Sequence, residues 1–348
     1  MTQNLPDVWR VRSCRCAEFR NKPAVLWLSY HRPVFRAVLI LTLVAGLRAQ
    51  PPAAKRVEFR ETLHATELLD PYHWLEDFDD AAARSWIAGQ DRFARALLEK
   101  LPGQESLRRR MLELSATDRI TLPILAANRF FYQRSTPSSP QPLECYRDGV
   151  AGAEKIWLDH AEAPKNSSIT RMRISVSVDG KLAAYAVRTS GQDEVEIRFS
   201  EVDTGRDLPD KLPKALYSSI SFLPDRSAVF YGVRSRDTGA RVRFHKLGAD
   251  SQGREVFGKG LDARVFLSAT VSRDGRWLTM QAQHGWAGAD LYVQDLKVAG
   301  PVRRLTHGID AQFITTACGP SKMLLTTTWK APRKRALLVQ LERPEQTN

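Results

Sequence analysis

Hydrophobic positions along the chain change period once, near residue 128. Before that point Ala83, Trp86, Ile87, Gln90, Phe93, Ala94, Leu97 and Leu98 mark the 3.6-residue period of an amphipathic helix. Asp79 or Asp80 is placed to cap it and Pro102-Gly103 to stop it. Leu107, Met111, Leu112 and Leu114 predict a second helix running to about Ser115. From Asn128 onward short β-rich runs alternate with Gly, Asp, Pro and Ser clusters. These runs are Phe130–Arg134, Glu154–Leu158, Leu182–Thr189, Glu194–Val202, Ala228–Val233, Val242–Leu247, Trp277–Ala282, Asp290–Leu296, Met323–Thr328 and Ala336–Leu341. Many short strands with no helix between them predict an all-β region.

Repeats decide which kind of all-β region this is. Ser177-Val178-Asp179-Gly180-Lys181, Leu223-Pro224-Asp225-Arg226-Ser227 and Ser272-Arg273-Asp274-Gly275-Arg276 each place an Asp-Gly-type turn just before an apolar strand. Their aspartates lie 46 and 49 residues apart, within the ~40–50-residue repeat of a propeller blade. The same step backward reaches Asn128-Arg129-Phe130, and forward it reaches Ser321-Lys322-Met323. Five units fit one template, two of them degenerate. A β-sandwich is the alternative, and about twenty short strands is too many for one such domain.

Ahead of the first helix stands Asp70-Pro71-Tyr72-His73-Trp74-Leu75-Glu76-Asp77. Pro71 restricts its own φ and pushes Asp70 towards an extended conformation, so a tether is expected rather than a helix. Trp74 and Leu75 call for an apolar surface, and Glu76 and Asp77 suit the positive end of the helix that follows. An ordinary hydrophobic anchor would read the same way. The stretch, with the Trp-bearing helix and the β-rich region behind it, nevertheless resembles the start of the prolyl oligopeptidase family of serine peptidases. There a D-P-Y-x-W-L-E-D segment lies on the α/β-hydrolase domain and leads into a seven-bladed β-propeller. The looser resemblance runs from about Val57 to the end. It implies a mainly β fold, a partial β-propeller of about five of seven blades preceded by an N-terminal helical segment. The expected organisation is a leader over 1–49, a linker over 50–56, the helical segment over 57–117 and the incomplete propeller over 118–348.

Bulk properties alter this picture little. Apolar content of 43% and charged content of 26% suit a soluble globular chain with a sizeable core. The net charge of +13 resembles a nucleic-acid signal until it is located. Residues 1–50 hold eight Lys/Arg against Asp7 and Glu18, +6 of the total, so the body is mildly basic and nucleic acid is not an expected partner. The apolar run Ala37–Leu47, flanked by Arg32 and Arg36 and followed by Ala49, has the length of a signal-peptide core and is short for a membrane span. Export to the periplasm or medium is the expectation, with membrane contact only through the leader; an uncleaved anchor or a buried helix is the alternative for the run, and a cytoplasmic location if the leader is unused. Cys14 and Cys16 fall in the leader, while Cys145 and Cys318 read as small buried hydrophobes. No C-x-x-C pair supports zinc or redox chemistry.

Candidate chemistry is sparse. No G-x-S-x-G elbow occurs, and its nearest approximation, Gly319-Pro320-Ser321-Lys322-Met323, sits at a predicted hairpin. His31, His64, His73, His160, His245, His284 and His307 follow no plausible nucleophile and acid, and each reads as a polar edge or a hydrogen-bonded core residue. Asp77, Asp79 and Asp80 fit a helix start better than a cation site. Gly258-Lys259-Gly260 lacks the third glycine of a dinucleotide loop, and Lys330, Arg333, Lys334 and Arg335 read as a solvated turn. No catalytic, cofactor-binding or metal-binding residue is assigned, and no cofactor is expected.

The resemblance implies a peptidase cleaving short peptides after proline, whose nucleophile, acid and base lie C-terminal to the propeller. No such residue can be carried over to a position here. The expectation is therefore an exported N-terminal propeller region, truncated before the catalytic domain, inactive alone, and dependent for solubility on a hydrolase domain or partner chain. A free-standing propeller that binds a ligand or partner is the competing reading.

Overall fold

The computed structural model describes residues 50–137, 141–159, 169–189, 192–235, 238–249, 253–285, 288–306 and 309–342. Residues 1–49, where a leader is expected and which include His31, lie outside them, as do His160 and His307. The chain divides into two compact units, Met1–Leu107 and Arg108–Asn348.

In the first unit β1 (Arg60–Leu63) and β2 (Thr66–Leu69) form an exposed antiparallel hairpin. The sequence did not announce it, because its turn is His64-Ala65, both at positive φ (49° and 61°), rather than Asn-Gly. The expected tether contains one 3₁₀ turn, His73–Leu75. The Asp70 carboxylate accepts the Tyr72 N–H (2.9 Å), which curls the chain directly after Pro71. Helix α1 (Ala81–Leu98) starts at Asp80, whose carboxylate accepts the Ala83 N–H at 2.8 Å. Helix α2 spans Gln104–Ser115, with Leu107 closing the first unit and Arg108 opening the second. Both helices match the periodicity of their sequences.

The second unit is a succession of antiparallel sheets. The first contains β3 (Arg119–Ile120), β4 (Ile124–Ala126), β5 (Arg129–Ser135), β6 (Leu143–Asp148) and β7 (Lys155–Leu158). The second runs β8 (Ile169–Val176), β9 (Leu182–Thr189), β10 (Val195–Glu201) and the front half of β11 (Asp207–Phe222). The back half of β11 then pairs with β12 (Ala228–Ser235), followed by β13 (Gly239–Lys246) and β14 (Arg254–Phe257). A single bent strand thus serves two blades. The fourth sheet is β15 (Phe266–Val271), β16 (Trp277–His284), β17 (Gly288–Asp295) and β18 (Arg303–Arg304). The fifth is β19 (Phe313–Cys318), β20 (Lys322–Thr327) and β21 (Arg335–Gln340). All ten predicted strands are present. The long β11 escaped prediction because Pro209 and Pro213 interrupt it. Both prolines fall in the front half, which is the outermost strand of its blade, and an edge tolerates the missing N–H.

Four apolar clusters lie between consecutive sheets, and the second strand of each central blade contributes to two of them. In β9, Leu182, Ala184 and Ala186 face one neighbour while Ala183, Tyr185 and Val187 face the other. Leu278, Met280 and Ala282 of β16 pack towards the third blade, and Trp277 towards the fifth. Burial on both faces explains why these strands read as unbroken apolar runs.

The template turns are where the blades lock together. Ser177 Oγ donates to Asp179 (2.7 Å) and accepts the Leu182 N–H (2.9 Å). Ser272 repeats this with Asp274 (2.5 Å) and Trp277 (2.9 Å). Beyond each turn, one backbone carbonyl accepts the N–H that ends the third strand of its blade. The five pairs are Asn128–Gly149, Lys181–Val202, Ser227–Leu247, Arg276–Leu296 and Ser321–Leu341. The turns also touch one another. Arg129 donates to the Gly180 carbonyl (3.0 Å), Arg226 pairs with Asp179 (3.1 Å), and the indole of Trp277 donates to the Pro320 carbonyl (2.8 Å). Gly275 adopts φ +75°, and a Cβ there would lie 3.0 Å from two ring carbons of Pro224 in the preceding blade. Arg226, in the corresponding place, adopts φ 63° with a full side chain.

Two polar links join neighbouring blades. Glu144, fully buried, accepts from Arg173 Nε (3.0 Å) and from Gln133 (2.7 Å), tying the first blade to the second. The Ser219 and Ser221 hydroxyls accept the Ala269 and Val271 N–H groups (2.8 and 2.9 Å), so the inner edge of the fourth blade is satisfied by side chains of the third.

Three stability outcomes follow. Glu144→Ala leaves the Arg173 guanidinium buried without a counter-charge and should cost about 3–5 kcal/mol in a denaturant titration. Gly275→Ala adds left-handed strain to a collision and should cost more than the ~1 kcal/mol of strain alone. Asp179, Asp225 and Asp274 sit below the ordinary carboxylate range. Burial opposes the shift at Asp179 and Asp274, and hydrogen bonds from serine hydroxyls and backbone N–H groups outweigh it; at Asp225 the Ser227 N–H and hydroxyl dominate. A depressed carboxylate stabilises the fold above its unfolded pKa, near ~3.9, and that contribution disappears as pH falls through the lower folded value. The double variant Asp179→Ala/Asp274→Ala should therefore lose less stability than the parent on acidification below pH ~4, read from melting curves across pH.

Candidate functional site

The residues singled out by sequence resolve into structural roles and one unpartnered apolar surface. Trp74 meets Trp86 of α1 edge-on with ring centroids 6.3 Å apart, and its indole donates to the Lys55 carbonyl at 3.0 Å. Lys55 Nζ lies 4.6 Å from the Trp74 ring. Gln90 of α1 donates to the Pro52 carbonyl, so the Pro-rich 50–56 stretch runs beside the helix. Ala83 is the only buried residue of α1, and Ile87, Leu97 and Leu98 are exposed. Leu107, Met111, Leu112 and Leu114 of α2 are each more than half exposed. The amphipathic faces predicted by sequence exist and stand open.

The titratable candidates are accounted for one by one. His245 is buried with Nε2 3.0 Å from Asp210, which also accepts the Gly248 N–H. His284 contacts Asp290, which Arg304 also engages at 2.7 Å. Burial would raise the Asp290 pKa, but the hydrogen bonds from Arg304 and His284 outweigh it and hold it below the usual range. His73 stacks on Phe59 with centroids 3.6 Å apart. Cys145 is buried and Cys318 half-buried; both are free thiols whose burial pushes them up to about 11, where they are unreactive at neutral pH. Gly319–Met323 covers the turn of the fifth blade and the first two residues of β20. A serine elbow requires a strand entering a helix, and no helix follows Ser115 among the described residues.

Possible cation ligands are also redistributed. Asp77 accepts the Asp79 N–H (2.8 Å) and Asp80 caps α1, so two of the three carboxylates serve the helix start. A different trio, Asp70, His73 and Glu76, brings three donor atoms within 4.8 Å of one another on the open 3₁₀ turn. It is the set among the described residues that could hold a metal, and sequence spacing did not single it out. The basic turn is not simply solvated. Lys330 and Arg335 lie 4.9 and 5.0 Å from the Trp329 ring, a cation–π pairing not anticipated from the sequence, where Trp329 is assigned no role.

The outer groove between the first two blades, about 630 Å³, is lined by Tyr146, Trp157, Tyr185, Asp203 and Asp207. Its acids are engaged: Asp203 by Arg129 (2.6 Å) and Asp207 by the Tyr185 hydroxyl (2.7 Å). At the other end of the array, Ile314, Leu324 and Leu338 leave one face of the fifth sheet apolar and exposed. This arrangement can hold and orient a ligand, but the described residues assemble no acyl-transfer chemistry.

Comparison with known proteins agrees with the blade geometry. A family model described as the N-terminal β-propeller domain of prolyl oligopeptidase matches residues 51–348. The prolyl endopeptidase of Elizabethkingia meningoseptica is 24% identical over 304 residues, 84% of this chain and 43% of that protein. The dipeptidyl aminopeptidase BI of Pseudoxanthomonas mexicana is 22% identical over 284 residues, 75% and 39% respectively. A solved prolyl endopeptidase superposes with a TM-score of 0.74 at 28% identity, over 85% of this chain and 45% of that one. Prolyl oligopeptidase B from Galerina marginata shares the fold with a TM-score of 0.68 at 18% identity. The chain spans less than half the length of the curated relatives it matches. With five consecutive blades stitched at their turns and a family model covering nearly all the described residues, the chain belongs to the prolyl oligopeptidase family, of which it carries the N-terminal β-propeller region.

Proposed function

We propose that this region is the gating portion of a serine peptidase that cleaves short peptides after proline, and that these 348 residues by themselves do not turn substrate over. The relatives include prolyl endopeptidases and prolyl oligopeptidases, which supports that substrate class. The single observation that carries the reading is the open apolar face of α2, with Leu107, Met111, Leu112 and Leu114 all exposed. Such a face suits a hydrolase surface, and burying four large side chains there would contribute several kcal/mol, at about 1.5–3 kcal/mol each. Lack of turnover is supported by the residues themselves: there is no serine elbow in the sequence and no helix after Ser115 on which to build one among the described residues. Export is part of the same proposal and rests on Ala37–Leu47 with its Arg32 and Arg36 flank.

The purified chain should show no hydrolysis of a Gly-Pro amide reporter above buffer. Turnover abolished by a serine-directed inhibitor would overturn the proposal. Limited trypsin digestion should cut within 81–115 before it cuts the sheets, because that surface lacks its cover. Protection of 81–115 equal to that of the blades would instead favour a self-sufficient binding module.

A further inference from the structure

Two adjoining cavities open at the strand ends opposite the Asp-Gly turns. One, about 270 Å³, is walled by Met172, Ile174, Val195, Leu216, Phe266 and Leu267. The other, about 180 Å³, is lined by Arg234, Arg241 and Arg243 with Tyr217 and Tyr231, and has no acidic residue in its described lining. Tyr217, Val233 and Arg234 belong to both, so the apolar and cationic chambers share a wall. Together they reach the lower part of the ~300–1,000 Å³ range of ligand pockets.

The charge in this groove is poorly compensated. Arg241 pairs with Glu255 at 3.3 Å and donates to the Gly258 carbonyl. Arg243 donates to the Gly253 carbonyl at 2.8 Å, and its Nε is buried with no hydrogen-bond partner. Arg234 lies 5.0 Å from the Phe266 ring, a contact that orients a cation without neutralising it. The acid and base that complete the apolar chamber are Asp193 and Arg188. Aromatic and aliphatic walls lower the local dielectric, so a carboxylate entering beside Arg234 and Arg243 forms hydrogen bonds stronger than it would in open water.

We propose that this groove binds the free C-terminus of a short peptide, its carboxylate among Arg234, Arg241 and Arg243 and its last apolar side chains between Met172 and Phe266. A single occupant must present an anion and an apolar group within a residue of one another, because the chambers share their wall. A terminal residue with its own α-carboxylate does this. The assignment rests on the peptide-handling reading above for its ligand class, but it is measured by binding and not by turnover.

The test titrates the full chain with acetyl-Ala-Leu-Phe as free acid and as carboxamide, with octanoate and inorganic phosphate as further arms, by calorimetry. The free acid should bind at least about tenfold more tightly than the amide, the size of one charge-assisted contact. Arg234→Gln should remove that preference, and Arg241→Gln should reproduce a weaker loss, because Arg241 already pairs with Glu255. Met172→Glu should weaken both peptides. Equal binding of acid and amide overturns the proposal, as does octanoate or phosphate binding more tightly than the peptide acid. A failed carboxylate preference leaves the gating proposal intact, and reporter turnover by the chain would leave the groove result intact.

Discussion

Contact between neighbouring hairpin turns is the constraint on which the rest of the second unit depends. Each blade alone would present two apolar faces to water. Its turn therefore does three things at once: it reverses the chain, accepts the N–H that ends the third strand, and reaches the turn of a neighbouring blade. Ser177 with Asp179 and Ser272 with Asp274 satisfy the backbone inside the turn. Arg129, Arg226 and Trp277 carry the link outward by hydrogen bond or ion pair, and Gly275 does it by close approach. Since the central strands bury both faces, a slip of one residue would exchange two packed clusters, and the turns hold that register.

The same logic explains where polar groups are admitted. Inner strands of a propeller have an edge without a strand partner, and here side chains fill the vacancy: Ser219 and Ser221 for the fourth blade, the Glu144–Arg173 pair between the first two. These are polar positions inside apolar segments, each with its partner supplied from the adjoining blade. Where the neighbour ends, as on the outer face of the fifth sheet and on α2, apolar side chains stand exposed. Function in such a molecule resides at its ends and openings, since the blades themselves are consumed by packing against one another.

Much of this was legible in the chain. The period change near residue 128, the three Asp-Gly-type turns and the Asp80 cap depend on local backbone preferences, and the structure reproduces each. The features that escaped notice were those whose cause lies elsewhere in the chain. The β1–β2 turn is built from His64-Ala65, residues without an intrinsic preference for positive φ, and β11 persists through two prolines because its front half lies at an edge. Trp329 collects its cations only after Arg335 returns beside it.

The sequence by itself determined the element types, the repeat and the absence of a serine elbow, because turn chemistry and periodicity are written within a few residues. Only the tertiary structure decided that Asp70, His73 and Glu76 converge, that Glu144 and Arg173 find each other, and that Arg234, Arg241 and Arg243 share an opening with Met172 and Phe266. The last two associations join residues from different strands or blades, and their proximity is a product of how sheets stack, which no local pattern encodes; the first depends on the curl of a single 3₁₀ turn.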